Sequence, residues 1–160
     1  MKIYIAASFA YEDRDKTSQR KYLIEKTVER LKKVIHGNND YYLPHQLTIP
    51  NAWDISLEEW ANQVYVKDVY ALRNSDLVIF LSFGKENNAG SAWEIGFMCG
   101  RNELTPDIYK KVKIICISMT EDPESLMIRN SVDAMIKENE IETYNWEYMP
   151  NYKVKADKLS

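Results

Sequence analysis

The run Asp76 to Ser82, DLVIFLS, sets consecutive apolar residues between polar ones without alternation. A strand with one wet face alternates apolar and polar side chains, whereas a strand covered on both faces does not. DLVIFLS therefore reads as a central strand of a covered, parallel sheet. IYIAA at residues 3–7 and KIICIS at 113–118 have the same character, and Tyr41 to Leu43, ended by Pro44, reads as one more strand. Between the strands the period changes to that of a helix. From Thr17 to Ile35 the residues Leu23, Ile24, Thr27, Val28, Leu31 and Val34 form one stripe, and Gly37 supplies a stop. Ser56 to Arg73 opens with Ser56 and Glu59 at capping-box spacing and carries Trp60, Val64, Val69 and Leu72 on one side. A third helix is expected from about Ser91 to Arg101. A fourth is expected over 123–137, with Leu126, Met127, Val132 and Ile136 as its stripe.

Strand and helix alternate throughout, which predicts an α/β fold: a doubly wound parallel sheet, flavodoxin-like or Rossmann-like, with helices on both faces. A length of 160 residues fits a single domain over 1–160, since a chain of this size buries roughly 70% of its unfolded surface. The 21 basic and 24 acidic residues are well mixed, so no positive field argues for nucleic acid as a partner. Cys99 and Cys116 sit in apolar stretches and read as reduced core residues. The N-terminus MKIYIAASFAYEDRD is neither a signal peptide nor a span, and no stretch approaches the ~20 apolar residues of a transmembrane helix. A cytoplasmic protein without membrane contact is the expectation. The 11 tyrosines and four tryptophans are read as core and subunit-interface packing rather than as a stacking surface.

In such sheets ligands bind outside the carboxyl ends of the strands, so the loops of interest begin at Ser8, Pro44, Ser82 and Ser118. After the central strand the chain runs GKENNAGSAWEIG, where Gly90 and the small Ser91 and Ala92 open a helix and let a ligand approach the backbone. Glu94 is expected in the first turn of that helix. There the helix dipole alone would favour an acid, yet Trp93, Ile95, Phe97 and Met98 predict a helix buried nearly all round, where an acid is better explained by chemistry. Asp68 reads either as a solvated acid paired with Lys67 or Arg73, or as a site residue. His45 and Gln46 are equally open. The sequence has no GxGxxG, GxxxxGK[ST] or GxSxG, so no cofactor is expected. His36 and His45 have no Cys/His cluster around them, so no metal is expected. The residues themselves lead as far as a carboxylate doing covalent or acid–base work.

KIYIAASF, KDVYALRNSDLVIF and NNAGSAWEIG together resemble the nucleoside 2-deoxyribosyltransferases over most of the chain. The resemblance implies that Glu94 is the nucleophile at C1' of deoxyribose, that Tyr4 hydrogen-bonds it, and that Asp68 contacts the base and passes it a proton. It implies substrate contacts at Ser8, Phe9, Gln46, Asn88 and Gly90. Asn88 stands where the transferases usually carry a second aspartate, and an amide cannot donate a proton as an acid. The related deoxynucleoside 5'-monophosphate N-glycosidases share the glutamate. SLMIRN places Ser125 at the position of one of their phosphate-contacting serines, whereas the tail ETYNWEYMPNYKVK is more like the transferases. In the transferases the region around Asn130 and Ser131, together with the C-terminal segment, reaches a neighbouring subunit's site, which implies a homo-oligomer with shared sites. Helix capping and turn formation are the simpler account of Ser125 and Asn130. The expected function is transfer of deoxyribose between nucleobases in nucleotide salvage. The alternative is a deoxynucleotide N-hydrolase, and a third is a non-catalytic nucleoside-sensing module.

Overall fold

The computed structural model describes residues 1–10, 12–84 and 89–149. Strands β1 (Lys2–Ala6), β2 (Asp40–Tyr42), β3 (Leu77–Ser82), β4 (Lys113–Ser118) and β5 (Ala134–Lys137) form one sheet in the order β2-β1-β3-β4-β5. All four pairings are parallel. This is the doubly wound arrangement, and its order reverses direction between β1 and β3.

Alternate side chains of the strands feed two cores. Ile3, Ile5, Ile79 and Ile117 meet Ile24, Val28 and Leu31 of helix α1 (Arg14–Val34) on one face. Tyr4, Val78, Phe80 and Cys116 meet Leu72 of helix α2 (Leu57–Arg73) and Ile95 and Met98 of helix α3 (Ala89–Glu103) on the other. Every residue of β3 is buried, as an unbroken apolar run between two helical layers requires. The helix starts are set locally. Asp13 accepts from the amides of Asp15 and Lys16, and the Ser56 hydroxyl accepts from the Glu59 amide at 3.1 Å.

Two expectations are corrected. Residues 123–137 are not one helix: a short helix α4 (Leu126–Ser131), capped by Ser125, gives way to β5. Leu126 and Met127 face solvent, and the buried residues are Ile128, Val132 and Ile136. The open edge of β4 decides the outcome, since it offers this segment a ladder of backbone bonds that outweighs helical periodicity. The ladder begins where the Asp133 amide donates to the Ile114 carbonyl at 2.8 Å. Helix α3, for its part, is not buried all round. Its buried stripe is Ser91, Ile95, Met98 and Asn102, while Trp93 is exposed and its ring stacks on Phe97.

The segment after β5 folds back over the α1 face through tight turns. Ile141 and Trp146 are buried there, and Arg30 of α1 ties it down by bonds of 2.7 Å to both Glu138 and Glu142. Both cysteines are free thiols, Cys116 buried and Cys99 half-buried. Burial raises the Cys116 thiol to about 12, consistent with a packing role. Among the described residues no helix is long and apolar enough to cross a membrane.

Candidate active site

Where the strand order reverses, the connections leaving β1 and β3 diverge to opposite sides and leave a crevice at the carboxyl ends of the strands. A cavity of about 280 Å³ lies there. The loop after β1 contributes Ser8 and Phe9, the chain after β2 contributes Pro44, α2 contributes Asp68, and the start of α3 contributes Gly90 and Glu94. A larger hollow of about 460 Å³ lies beside β2 and α2. Its wall of Val66, Tyr70 and Ala71 holds no pair of carboxyls, so the smaller cavity is the candidate for chemistry.

Glu94 sits in the second turn of α3, because the helix begins at Ala89 rather than at Ser91. The dipole acts mainly within the first turn, so it does not account for an acid at this place. The Tyr4 hydroxyl donates to Glu94 Oε1 at 2.6 Å. Tyr4 projects from β1 and is wholly buried, which leaves its hydroxyl few partners besides this carboxyl. Burial raises the Glu94 carboxyl from its ordinary 4.5 to about 7; the Tyr4 bond opposes the rise and the nearby charge of Asp68 adds to it. Glu94 is therefore poised near neutrality. Burial, reinforced by the Glu94 charge, drives the Tyr4 hydroxyl far upward, so it remains a donor.

Asp68 is half-buried on α2, and its partner is the Tyr42 hydroxyl, which donates to Oδ1 at 2.7 Å. Arg73, a partner considered from the sequence, lies instead over the Phe97 ring. Burial raises the Asp68 carboxyl, with the Tyr42 bond acting the other way. Tyr42 is a site residue that sequence reasoning missed. It is the register partner of Tyr4 across the β1–β2 pairing, and the two rings stack with centroids 5.4 Å apart. The available signal was a tyrosine on a strand beside β1, but reading it requires knowing that the two strands pair.

Ser8 and Ser91 approach through their hydroxyls at 3.1 Å, and Phe9 packs against the His45 ring. A Cβ built on Gly90 meets nothing within 4 Å, so packing does not demand glycine there, and the bare backbone faces open cavity. Three expected contacts are not brought to the cavity. Gln46 is exposed and donates to Glu25 Oε1 at 3.2 Å. Ser125 caps α4 by accepting from the Ile128 amide at 3.3 Å, and the Asn130 amide donates to the Leu126 carbonyl at 2.8 Å. Asn88 lies outside the described residues, as does the tail from residue 150 onward. Among the described residues no group of three or more His, Cys, Asp or Glu is placed to hold a metal.

The sequence pattern of a known family, described as nucleoside 2-deoxyribosyltransferase, matches residues 3–141. The chain belongs to that family. The match takes in all of the sheet except Lys2 of β1, and every described residue lining the cavity. Among solved structures, the fold is similar to that of a 2-deoxyribosyltransferase from the psychrotolerant bacterium Bacillus psychrosaccharolyticus. The TM-score is 0.71 at 22% identity, covering 95% of this chain and 98% of that one. A conserved protein from Enterococcus faecalis V583 is similar with a TM-score of 0.50 and 19% identity, over 81% of this chain and 70% of that one. No curated protein matches the chain.

Proposed function

We propose that the protein is a nucleoside 2'-deoxyribosyltransferase that works through a covalent deoxyribosyl–Glu94 intermediate. The observation that carries this reading is the pair of carboxyls in one cavity at the switch point, with Glu94 fixed by a buried tyrosine. A carboxylate nucleophile divides one difficult displacement at an anomeric carbon into two, and a second acid assists departure of the leaving group. In the first half, a Glu94 oxygen bonds to C1' while the bond from C1' to the base nitrogen breaks. Its electron pair leaves with the base, which takes the proton of Asp68. In the second half, a nitrogen of an incoming base attacks C1', the Glu94 ester breaks to free the carboxylate, and the proton of that nitrogen passes to Asp68. Tyr4 holds Glu94 in line and shares part of its charge. Ser8, Phe9 and Gly90 line the space left for the nucleoside. The cytoplasmic salvage of bases is the setting that this exchange fits.

The hydrolase reading gains nothing from Ser125, whose hydroxyl is engaged in capping α4 within its own chain. Ser125 and Asn130, turned to their own helix, would contact substrate only in a neighbouring subunit of a homo-oligomer. The deciding assay incubates the protein with thymidine and adenine, and separately with dTMP, and follows the products by chromatography. Deoxyadenosine is the expected product of the first mixture. Free thymine from dTMP with no deoxyadenosine from the first mixture would replace the transferase with the hydrolase. No cleavage in either would favour a binding module.

A further inference from the structure

The site holds two tyrosine–carboxylate pairs, and the proposed reaction has so far used only one of its tyrosines. Tyr42 Oη donates to Asp68 Oδ1 at 2.7 Å, its ring lies on the Tyr4 ring at an interplanar angle of 18°, and Tyr4 Oη donates to Glu94 Oε1 at 2.6 Å. The four side chains form one connected unit. Its two hydroxyls come from register partners on adjacent parallel strands, a spacing fixed by the backbone ladder. A carboxyl group has two oxygens, and one that accepts a hydrogen bond at Oδ1 carries its proton on Oδ2.

We propose that Tyr42 is a positioning residue for the leaving-group acid: by holding Oδ1 it leaves Asp68 Oδ2 to carry the proton delivered to the departing base, and by stacking on Tyr4 it fixes that acid relative to Glu94. The inference rests on the transferase reading. Its force comes from orientation. A carboxyl on a helix can rotate about its last bond, and proton transfer needs the donor oxygen within hydrogen-bond reach of the base nitrogen. Tyr42 removes that rotation. The titratable groups that share this environment are Tyr4, Tyr42 and Glu94, with Asp68 adding to the rise of the other three. Both hydroxyls are pushed upward by burial first and by their carboxylates second, so neither competes as an acid near neutral pH.

The test uses the full chain carrying Tyr42→Phe, which keeps the ring and its stack and removes only the donor. Turnover is measured on 2'-deoxynucleosides whose bases range in acidity from adenine and thymine to 5-nitrouracil. With thymine as leaving group, kcat falls on the order of 10-fold, a fraction of the 10²–10⁴ that a positioned acid supplies. KM stays within about 2-fold, the pattern of an interaction used in the transition state. The loss shrinks toward none with 5-nitrouracil, which departs without a proton. The alkaline limb of the pH profile moves upward, because the Asp68 anion has lost its donor. Tyr4→Phe loses rate equally across the series, since every substrate needs the nucleophile. A second readout is independent of turnover: in protein labelled with 13C-aspartate, assigned through Asp68→Asn, the Asp68 carboxyl titrates at higher pH in Tyr42→Phe than in the parent. An equal loss on all leaving groups, or no loss, overturns the proposal. If the parent protein cleaves none of the series, the transferase reading falls and the acid role falls with it. An unmoved Asp68 titration overturns the Tyr42 contact by itself.

Discussion

Glu94 and Asp68 receive the same kind of hydrogen bond, from tyrosines stacked on one another, and differ in what surrounds them. Glu94 accepts from a wholly buried tyrosine of β1, and its carboxyl is raised to about 7. Asp68 lies on α2 and accepts from the half-buried Tyr42 of the edge strand β2. Burial raises both, while the charge of Asp68 pushes Glu94 further. Two carboxyls coupled in this way titrate as a pair, and their apparent pKa values belong to the pair. On the proposed reading, the difference in surroundings separates two tasks that a carboxyl group can perform: the desolvated carboxylate of Glu94 attacks, and the more open carboxyl of Asp68 exchanges protons.

The contrast breaks most decisively at Glu94. Glu94→Ala is expected to lose at least ~10³-fold in kcat/KM with the fold retained, as for loss of a covalent nucleophile. Turnover within about tenfold of the parent by a folded variant would remove the assignment. Asp68→Asn keeps the Tyr42 bond and removes only the proton. It should cost about 10²-fold with thymine as leaving group, the lower range for a general acid, and far less with 5-nitrouracil. Uniform loss across leaving groups would mean that Asp68 binds rather than protonates.

The pH profile sharpens the comparison. Productive attack needs the pair to hold one proton, on Asp68 and not on Glu94, so kcat/KM should follow a bell. Its alkaline limb lies near 7, where the pair loses its last proton. Asp68→Asn should remove the alkaline limb and leave a single limb that reports Glu94 alone and lies below about 7, because the nearby charge that raised Glu94 is gone. A profile flat from pH 5 to 9 would contradict the coupling.

The smallest effect is on stability. The folded carboxyl of Glu94 is raised above its ordinary 4.5, so the folded state binds more protons than the unfolded between the two values and loses stability as pH rises through that window. Glu94→Gln should then raise Tm at pH 8 by roughly 2–4 °C, the scale of about 1 kcal/mol in a chain of this length, and by less at pH 5. Calorimetry at the two pH values checks the sign. A lower Tm at pH 8 would contradict a buried, costly carboxylate.

How far the sequence reveals these features depends on the distance over which each is determined. β3 and β4 were legible because burial on both faces writes itself as an unbroken apolar run. The stripe of α1 and the cap at Ser56 were legible for the same local reason. Residues 123–137 were not, because Val132 and Ile136 fit a helical stripe and a strand alike, and only the vacant edge of β4 chooses between them. Helix α3 reads as apolar all round, yet Trp93 is exposed and stacks on the half-buried Phe97. At the site, Glu94 was visible as an acid among apolar residues, while Tyr42 gains its meaning only from its register with Tyr4. Gln46 shows the reverse: it lies beside the site in sequence, yet in space its amide turns to Glu25.

Covalent attachment of the sugar to Glu94, as proposed, can be captured directly. The direct measurement mixes the protein with a 2'-deoxynucleoside bearing a readily departing base, quenches in acid, and weighs the intact chain and its peptides. The expected result is a mass gain of one deoxyribosyl group, carried by the peptide containing Glu94 and absent in Glu94→Ala. Base release with no adduct at any quench time, or an adduct on another residue, would contradict it.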